Sequence, residues 1–144
     1  KSTTGIFSNN LNTLEKKKIE KEFSFFGRFI WLKKENQMDF FTAFFGGGPA
    51  YLSLFLGILS KILTKKGFNK KLSKELVLIL ADGTLEILDK SFDFNDLIKK
   101  VASKNGTTEK ALNFLNIDNN LSLLISQAIY KAEKRSREIS KDLL

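Results

Sequence analysis

The feature that most constrains this fold is an uncharged, mostly apolar stretch, residues 40–60, interrupted by three consecutive glycines and the only proline. Pro49 lies where a helix can begin. The N–H groups of the first helical turn have no acceptor within the helix, so a proline at that position loses no hydrogen bond. We therefore predict a helix over residues 49–66 that ends at Gly67. Its side chains are apolar on nearly every side, which predicts a helix buried within the protein.

The same stretch is long enough to cross a membrane, and Lys33, Lys34 and Lys61 lie near its two ends. A spanning helix must satisfy its own backbone hydrogen bonds, and a glycine–proline break in its middle leaves some of them open. The sequence has no second apolar stretch of this length that could cover the break. We therefore expect no membrane partner. The expected location of the protein is cytoplasmic.

The net charge of +8 raises nucleic acid as a partner. Of the 24 basic residues, however, only Arg28, Arg135 and Arg137 are arginines, and arginine is the better reader of phosphates and bases. The lysines are scattered, with acidic residues among them. This pattern predicts a solvated surface, and we expect no nucleic-acid partner.

The sequence contains neither histidine nor cysteine. It can therefore form no disulfide bond, no Cys/His zinc site and no Ser–His or Cys–His catalytic pair of its own. We expect no metal site, and general acid–base catalysis has few candidates.

The first 37 residues have the pattern of a strand, a helix and a second strand. Apolar residues follow Gly5, and an aromatic-rich run follows Gly27. Between them Asn12 and Glu15 have the spacing of a capping box, which predicts a helix start. Two strands and one helix cannot cover their own apolar faces, so this segment is too small to be a domain.

From residue 38 onward the pattern is helical. Besides the helix that begins at Pro49, the spacing of apolar residues predicts a helix with Gly83 inside it, then a short helix, and two more after a polar turn. These helices are predicted at residues 71–90, 93–101, 107–116 and 119–143. The sequence therefore predicts a mainly helical domain.

Two segments could bind a ligand. Gly46, Gly47 and Gly48 precede Pro49, where a glycine loop would let a ligand approach the backbone at a helix start. This segment matches neither a Walker A loop nor the dinucleotide fingerprint, and a tight turn between helices is the alternative interpretation.

The second segment is a polar turn over residues 103–108 that precedes a helix. Its backbone N–H groups and hydroxyls could hold a carboxylate or a phosphate. An ordinary helix N-cap at Thr107 or Thr108 is the alternative. The candidate binding residues are Ser103, Asn105, Gly106, Thr107 and Thr108.

In order and spacing, four features resemble the pyrroline-5-carboxylate reductase family. Residues 38–51, MDFFTAFFGGGPAY, resemble the family segment D-x-x-T-A-L-S-G-S-G-P-A-Y, and residues 101–108, VASKNGTT, resemble V-T-S-P-G-G-T-T. Gly83 lies where the family has a glycine within a helix. Residues 133–138, EKRSRE, resemble the closing A-E-R-S-R-E-L. The resemblance extends over essentially the whole chain.

The resemblance implies a fold and a division into domains. Residues 38–144 would be the helical dimerisation and substrate-binding domain, and residues 1–37 would be the end of a Rossmann domain. The chain does not begin with methionine, so we expect it to be a fragment or a processed form. The expected partner is a second copy, in a homodimer or a higher oligomer. The alternative is a non-catalytic helical dimer or binding protein.

The resemblance also implies an activity, the NAD(P)H-dependent reduction of 1-pyrroline-5-carboxylate to proline in proline biosynthesis. The backbone of residues 103–108 would hold the substrate carboxylate. The hydroxyl of Thr108 would bond the ring nitrogen and act as the catalytic group, and Gly46, Gly47 and Gly48 would lie near the cofactor.

The chain departs from the family at several of these positions. Lys104 replaces a proline, Asn105 a glycine and Gly47 a serine. The sequence also has no G-x-G-x-x-G motif after a strand. The chain alone is therefore expected to bind neither NAD nor NADP, and to be inactive without a nucleotide-binding domain.

Overall fold

A strand, a helix and a second strand begin the chain in this computed structural model, which describes residues 2–91 and 93–142. Strand β1 is Thr3–Ile6, helix α1 is Thr13–Glu22 and strand β2 is Arg28–Trp31. The strands pair in parallel, with Thr3 opposite Arg28 and Ile6 opposite Trp31. This arrangement confirms the predicted strand–helix–strand order.

The start of α1 is the predicted capping box. The Asn12 side chain accepts hydrogen bonds from the N–H groups of Leu14 at 2.9 Å and Glu15 at 3.1 Å. The Glu15 carboxylate in turn accepts from the N–H of Asn12 at 2.8 Å. The first turn of α1 is thus satisfied by its own side chains.

Helices pack on both faces of the two-stranded sheet. On one face, Trp31 donates from its indole N–H to the Glu20 carboxylate at 2.5 Å, and Lys16 Nζ lies 4.9 Å from the Trp31 ring centroid. On the other face, the Phe41 ring lies so close to Gly5 that a Cβ atom there would be 2.7 Å from it. Parallel strands are normally covered on both faces in this way.

The glycine–proline segment does not break the helix, contrary to the prediction. Helix α2, Gln37–Phe41, continues through a π turn at Thr42–Gly46 into helix α3, Gly47–Lys65. Gly46, Gly47 and Gly48 lie inside this continuous helix.

The π turn explains why proline is tolerated here. In an ordinary α-helix the Pro49 ring would clash with the carbonyl of Phe45, four residues earlier. Because proline has no N–H, that carbonyl would also lack its usual hydrogen-bond donor. Phe45 lies within the wider turn, where hydrogen bonds span five residues instead of four. The predicted start at Pro49 is therefore wrong, because it assumed an α-helical hydrogen-bond pattern on both sides of the proline.

The remaining helices are found close to their predicted positions, which confirms a mainly helical fold class. They are α4 at Lys70–Ser91, α5 at Phe94–Val101, α6 at Thr107–Leu115 and α7 at Asn120–Asp142. The predicted end of the last helix at residue 143 lies outside the described residues.

The chain divides into two compact units. One consists of Lys1–Pro49 and Ser126–Leu144, and the other of Ala50–Ile125. Within the second unit, α3 contacts α4, where Thr64 Oγ1 donates to Ser73 Oγ at 3.1 Å. This division follows the contacts within the chain, whereas the boundary expected at residue 37 follows from the family resemblance. The expected boundary therefore stays a prediction.

Little of the described chain is buried. The buried residues are Ala43 in the first unit, and Ser73 and Val77 in the second. No residue of α3 is buried, so the prediction of a helix buried within this chain is wrong. The continuous helix Gln37–Lys65 has the length and composition of a membrane span, and an 18-residue window within it has a mean hydropathy of 1.4.

Candidate functional site

The first candidate segment, the three glycines, does not form the predicted loop. Gly46 closes the π turn, and Gly47 and Gly48 open α3 without a break in the helix. None of the three has a positive φ angle. Because the helix continues through them, this position has no helix N-terminus that could attract an anion.

The second candidate segment is a tight turn between α5 and α6. The N–H of Gly106 donates to the carbonyl of Ser103 at 2.9 Å, which closes the turn. Asn105, the third residue of the turn, has a φ angle of 62°, a left-handed conformation that asparagine tolerates better than most residues. Asparagine in place of the family glycine is thus compatible with the turn.

Gly106 is the N-cap of α6, contrary to the alternative that Thr107 or Thr108 caps this helix. A Cβ atom at Gly106 would lie 2.4 Å from Ser103 Oγ and 2.9 Å from the Ser103 carbonyl oxygen. The Ser103 side chain and carbonyl therefore occupy the space that a larger residue would need.

Glu109 has a role in this turn that the sequence analysis missed. Its carboxylate accepts a hydrogen bond from the N–H of Asn105 at 2.6 Å and so holds the left-handed residue in place. The signal was present in the sequence, since an acidic residue in the first turn of a helix can bond a backbone N–H that precedes the helix.

The N–H groups of Asn105 and Gly106 thus already donate hydrogen bonds within the chain. The N–H groups that start α6 belong to Thr107, Thr108 and Glu109, and no side chain caps them in the described part of the chain. Thr108 is half-buried, whereas Ser103, Asn105 and Thr107 are exposed. The arrangement offers an anion the start of a helix with a threonine hydroxyl beside it.

The two candidate segments belong to different compact units. Residues 103–108 lie wholly in the second unit, whereas Gly46, Gly47 and Gly48 lie in the first. The structure brings Ser103, Asn105, Gly106, Thr107 and Thr108 together in one turn.

A second pair of family-like segments meets within the first unit. Asp39 in α2 accepts a hydrogen bond from Ser136 Oγ in α7 at 2.8 Å. Ser140 Oγ lies 3.5 Å from the same carboxylate oxygen. Asp39 belongs to the MDFFTA segment and Ser136 to the EKRSRE segment, so two motifs 97 residues apart are joined by one hydrogen bond. Sequence reasoning had not assigned a role to Asp39.

The described residues do not fit a dinucleotide. A cofactor pyrophosphate needs a glycine-rich turn and exposed N–H groups at the helix that follows the first strand. The connection after β1 holds no glycine, and the Asn12 side chain occupies the N–H groups at the start of α1. Strand β1 and helix α1 therefore offer no place for the pyrophosphate of a nicotinamide cofactor.

Residues 35–139 match the family model described as pyrroline-5-carboxylate reductase dimerisation. The chain is 34% identical over 115 residues to pyrroline-5-carboxylate reductase 1 of Bacillus subtilis, an alignment that covers 79% of this chain and 38% of the relative. It is 31% identical over 143 residues to pyrroline-5-carboxylate reductase of Staphylococcus haemolyticus, with 98% of this chain and 52% of the relative covered.

Solved structures show the same similarity. A pyrroline-5-carboxylate reductase from Coxiella burnetii superimposes with a TM-score of 0.84 at 28% identity, over 94% of this chain and 51% of that one. The Plasmodium falciparum pyrroline carboxylate reductase, solved with NADP bound, gives a TM-score of 0.78 at 30% identity, over 93% of this chain and 52% of that one. The chain thus spans about two-fifths to one-half of the length of these relatives.

Proposed function

The chain belongs to the pyrroline-5-carboxylate reductase family through its dimerisation domain, and on that premise we propose that it is the dimer-forming and substrate-binding part of a reductase that converts 1-pyrroline-5-carboxylate to proline. In this proposal residues 38–144 form the helical domain, and residues 1–37 end a nucleotide-binding domain that the relatives' additional length would supply. NADP or NAD would be the cofactor of the whole enzyme. The cytoplasmic location stays a prediction.

The observation that carries the substrate site is the turn before α6. A carboxylate suits the N–H groups of Thr107 and Thr108, because the start of a helix carries partial positive charge. We propose that these two groups hold the substrate carboxylate and that the Thr108 hydroxyl forms a hydrogen bond with the ring nitrogen. Gly106 and Glu109 would act indirectly, because the N–H of Gly106 and the carboxylate of Glu109 already form hydrogen bonds within the turn.

The observation that supports a homodimer is the exposed surface of the chain, 12,296 Å². Two separate compact bodies of half the 16.4 kDa mass would expose only about 9,000 Å² together. Much of the excess is apolar, including Leu52, Leu54 and Phe55 of α3, which are all more than half exposed. A second copy of the helical domain would cover such a surface, as expected of a dimerisation domain.

The activity is tested with the chain alone and with a separately produced nucleotide-binding half of a homologous reductase. We expect no oxidation of NADPH or NADH with 1-pyrroline-5-carboxylate by the chain alone, and turnover when the second polypeptide is added. Binding of L-proline to the chain alone, followed by calorimetry, tests the substrate site independently of turnover. Neither turnover nor proline binding would favour the alternative, a non-catalytic helical dimer.

The role of Thr108 is tested by Thr108→Ala and Thr108→Ser. If its hydroxyl bonds the ring nitrogen, Thr108→Ala should weaken proline binding about tenfold, the loss of roughly one hydrogen bond. Thr108→Ser should restore most of the affinity because it keeps the hydroxyl. Thr13→Ala, which removes an exposed hydroxyl at the start of α1, serves as the matched control. Equal affinities for Thr108→Ala and the unmodified chain would contradict the assignment.

A further inference from the structure

Helices α3 and α4 border a groove of about 620 Å³ within the second unit. The lining residues recur three and four positions apart on both helices, so one face of each helix forms a wall. Four lysines line the groove, and no acidic side chain is among the described residues that line it. We call it the lysine groove, and its lysines are Lys61, Lys65, Lys70 and Lys74.

Positive charge, scattered elsewhere in the chain, is concentrated beside this groove. Residues 61–74 contain six lysines and no acidic residue, so they carry +6 of the net charge of +8. In the part of the chain that the structure describes, ion pairs are formed by Lys90, Arg135 and Arg137, and none by a lysine of the groove. Like charges this close together repel each other, and an anion in the groove would relieve that repulsion.

The turn between the helices holds these lysines on a fixed backbone. Just after α3, Gly67 has a φ angle of 97°, a left-handed conformation that suits glycine at the end of a helix. The Asn69 side chain accepts from the N–H of Leu72 at 2.8 Å and caps the start of α4. The hydrogen bond between Thr64 and Ser73 joins the two helices. Because Asn69 already uses an N–H at the helix start, the charge available to a ligand here is that of the lysines.

The groove has a charged end and an uncharged end. Its lysines lie beside the turn, and the uncharged end follows on both helices as they lead away from it. The residues of the uncharged end include Ser53, Leu56, Gly57, Val77 and Leu78. Ser53 and Lys61 are eight residues apart on α3, a rise of about 12 Å, which is about the length of an extended octanoate ion.

We propose that the lysine groove binds an anionic single-chain amphiphile, with its carboxylate or phosphate head among the lysines and its alkyl chain along the uncharged end. Lysine ammonium groups bind a compact anion as point charges, and the apolar walls remove the chain from water. Ligand sites of this size commonly combine apolar walls with a few charged groups. No residue from 103 to 108 lines the groove, so the proposal is independent of the reductase site.

Calorimetry of the full chain with sodium octanoate, below its micelle-forming concentration, tests the proposal. We expect saturable binding that weakens as the salt concentration rises. Octanol has the same chain without the charge, and acetate has the same head without the chain. Each should bind at least about tenfold more weakly than octanoate, because each loses one end of the groove. No saturable binding of octanoate, or equal affinity for octanol or acetate, would overturn the proposal.

Two double variants with the same change in net charge test the position of the head. Lys61→Gln/Lys65→Gln removes two lysines of the groove and should weaken octanoate binding about tenfold or more. Lys66→Gln/Lys71→Gln removes two lysines of the same turn that do not line the groove. It should change the affinity by less than about threefold, because water and salt screen more distant charges. Equal losses for the two variants would indicate only a diffuse attraction and overturn the site.

Gly57→Leu tests the uncharged end. No atom lies within 4 Å of the position that a Cβ atom would take at Gly57, so a leucine there can occupy part of the groove without strain. It should weaken octanoate binding at least about fivefold, because it takes space from the alkyl chain. Gly83→Leu is the control, since Gly83 is equally open and does not line the groove. Both variants should keep the helical circular-dichroism signal, and an unchanged affinity for Gly57→Leu would count against the proposed position of the chain.

Vesicles of phosphatidylglycerol distinguish a free amphiphile from a membrane surface. They should leave the chain unbound at physiological salt, because the groove accepts one alkyl chain and not the surface of a bilayer. A chain that floats with these vesicles and does not bind free octanoate would overturn the proposal in favour of a membrane surface.

Discussion

At the residue scale, Asp39 shows why two distant sequence motifs belong together. Its carboxylate accepts from Ser136 of α7, and both residues are in the first compact unit. Neither residue is apolar, so hydrophobic periodicity gives no information about their contact. The motifs were recognisable in the sequence by resemblance, whereas their physical connection required the structure.

We predict that Ser136→Ala lowers the free energy of unfolding by about 1–2 kcal/mol, because the hydroxyl donates to a partly buried carboxylate. Urea denaturation measures this loss. Ser140→Ala is the control, since its oxygen lies 3.5 Å from Asp39 and also donates to the Ser136 carbonyl at 3.1 Å. It should have a clearly smaller effect, and equal losses for the two variants would contradict the prediction.

The turn before α6 illustrates the limit of sequence reasoning at a site. The residue types at positions 103–108 predicted a helix start with available N–H groups, and the helix does begin at Thr107. The sequence could not tell which N–H groups are already used, because Glu109 reaches back to Asn105 only in the folded turn. The substrate role of these residues stays a proposal.

At the element scale, a purely local signal predicted the start of α1 correctly. The capping box of α1 is set by Asn12 and Glu15, residues three positions apart, and needs no tertiary context. The π turn at Thr42–Gly46 could not be predicted in the same way. Glycine and proline together usually end a helix, and their tolerance here depends on a hydrogen-bond pattern that the residue types do not specify.

We predict that Asn12→Ala lowers the free energy of unfolding by about 1 kcal/mol, because it removes the acceptor of two backbone N–H groups. Asn10→Ala is the matched control, since the hydrogen bond of Asn10 to Ser8 is made by its backbone N–H and is kept. Thermal unfolding should therefore show a lower midpoint for Asn12→Ala only. A midpoint for Asn12→Ala equal to that of the control would count against the importance of the cap.

At the scale of the whole molecule, the apolar composition of α3 was read correctly but its burial was not. The pattern predicted a helix covered on most sides, and the structure leaves Leu52, Leu54 and Ile62 exposed. A sequence pattern shows that an apolar surface has to be covered without showing whether the same chain covers it. The family's dimerisation domain favours a second copy as the cover over a lipid bilayer.

We predict that the chain, purified without detergent, sediments at tens of micromolar with twice its mass of 16.4 kDa. Its unfolding midpoint should rise with protein concentration, because dissociation and unfolding are linked in a dimer. Flotation with lipid vesicles is the control and should leave the protein in the unbound fraction. A chain that is soluble only in detergent, or that floats with vesicles, would contradict the prediction.

The parallel sheet has a consequence for how this chain associates. Each of its two strands has a single hydrogen-bonded neighbour among the described residues, so each leaves one side of its backbone without a strand partner. A helix face that pairs with its own copy closes after two chains, whereas a strand edge that accepts the opposite edge of the next copy can continue without limit. The proposed homodimer would therefore end at two chains, whereas pairing through these strand edges would grow into larger aggregates as concentration rises.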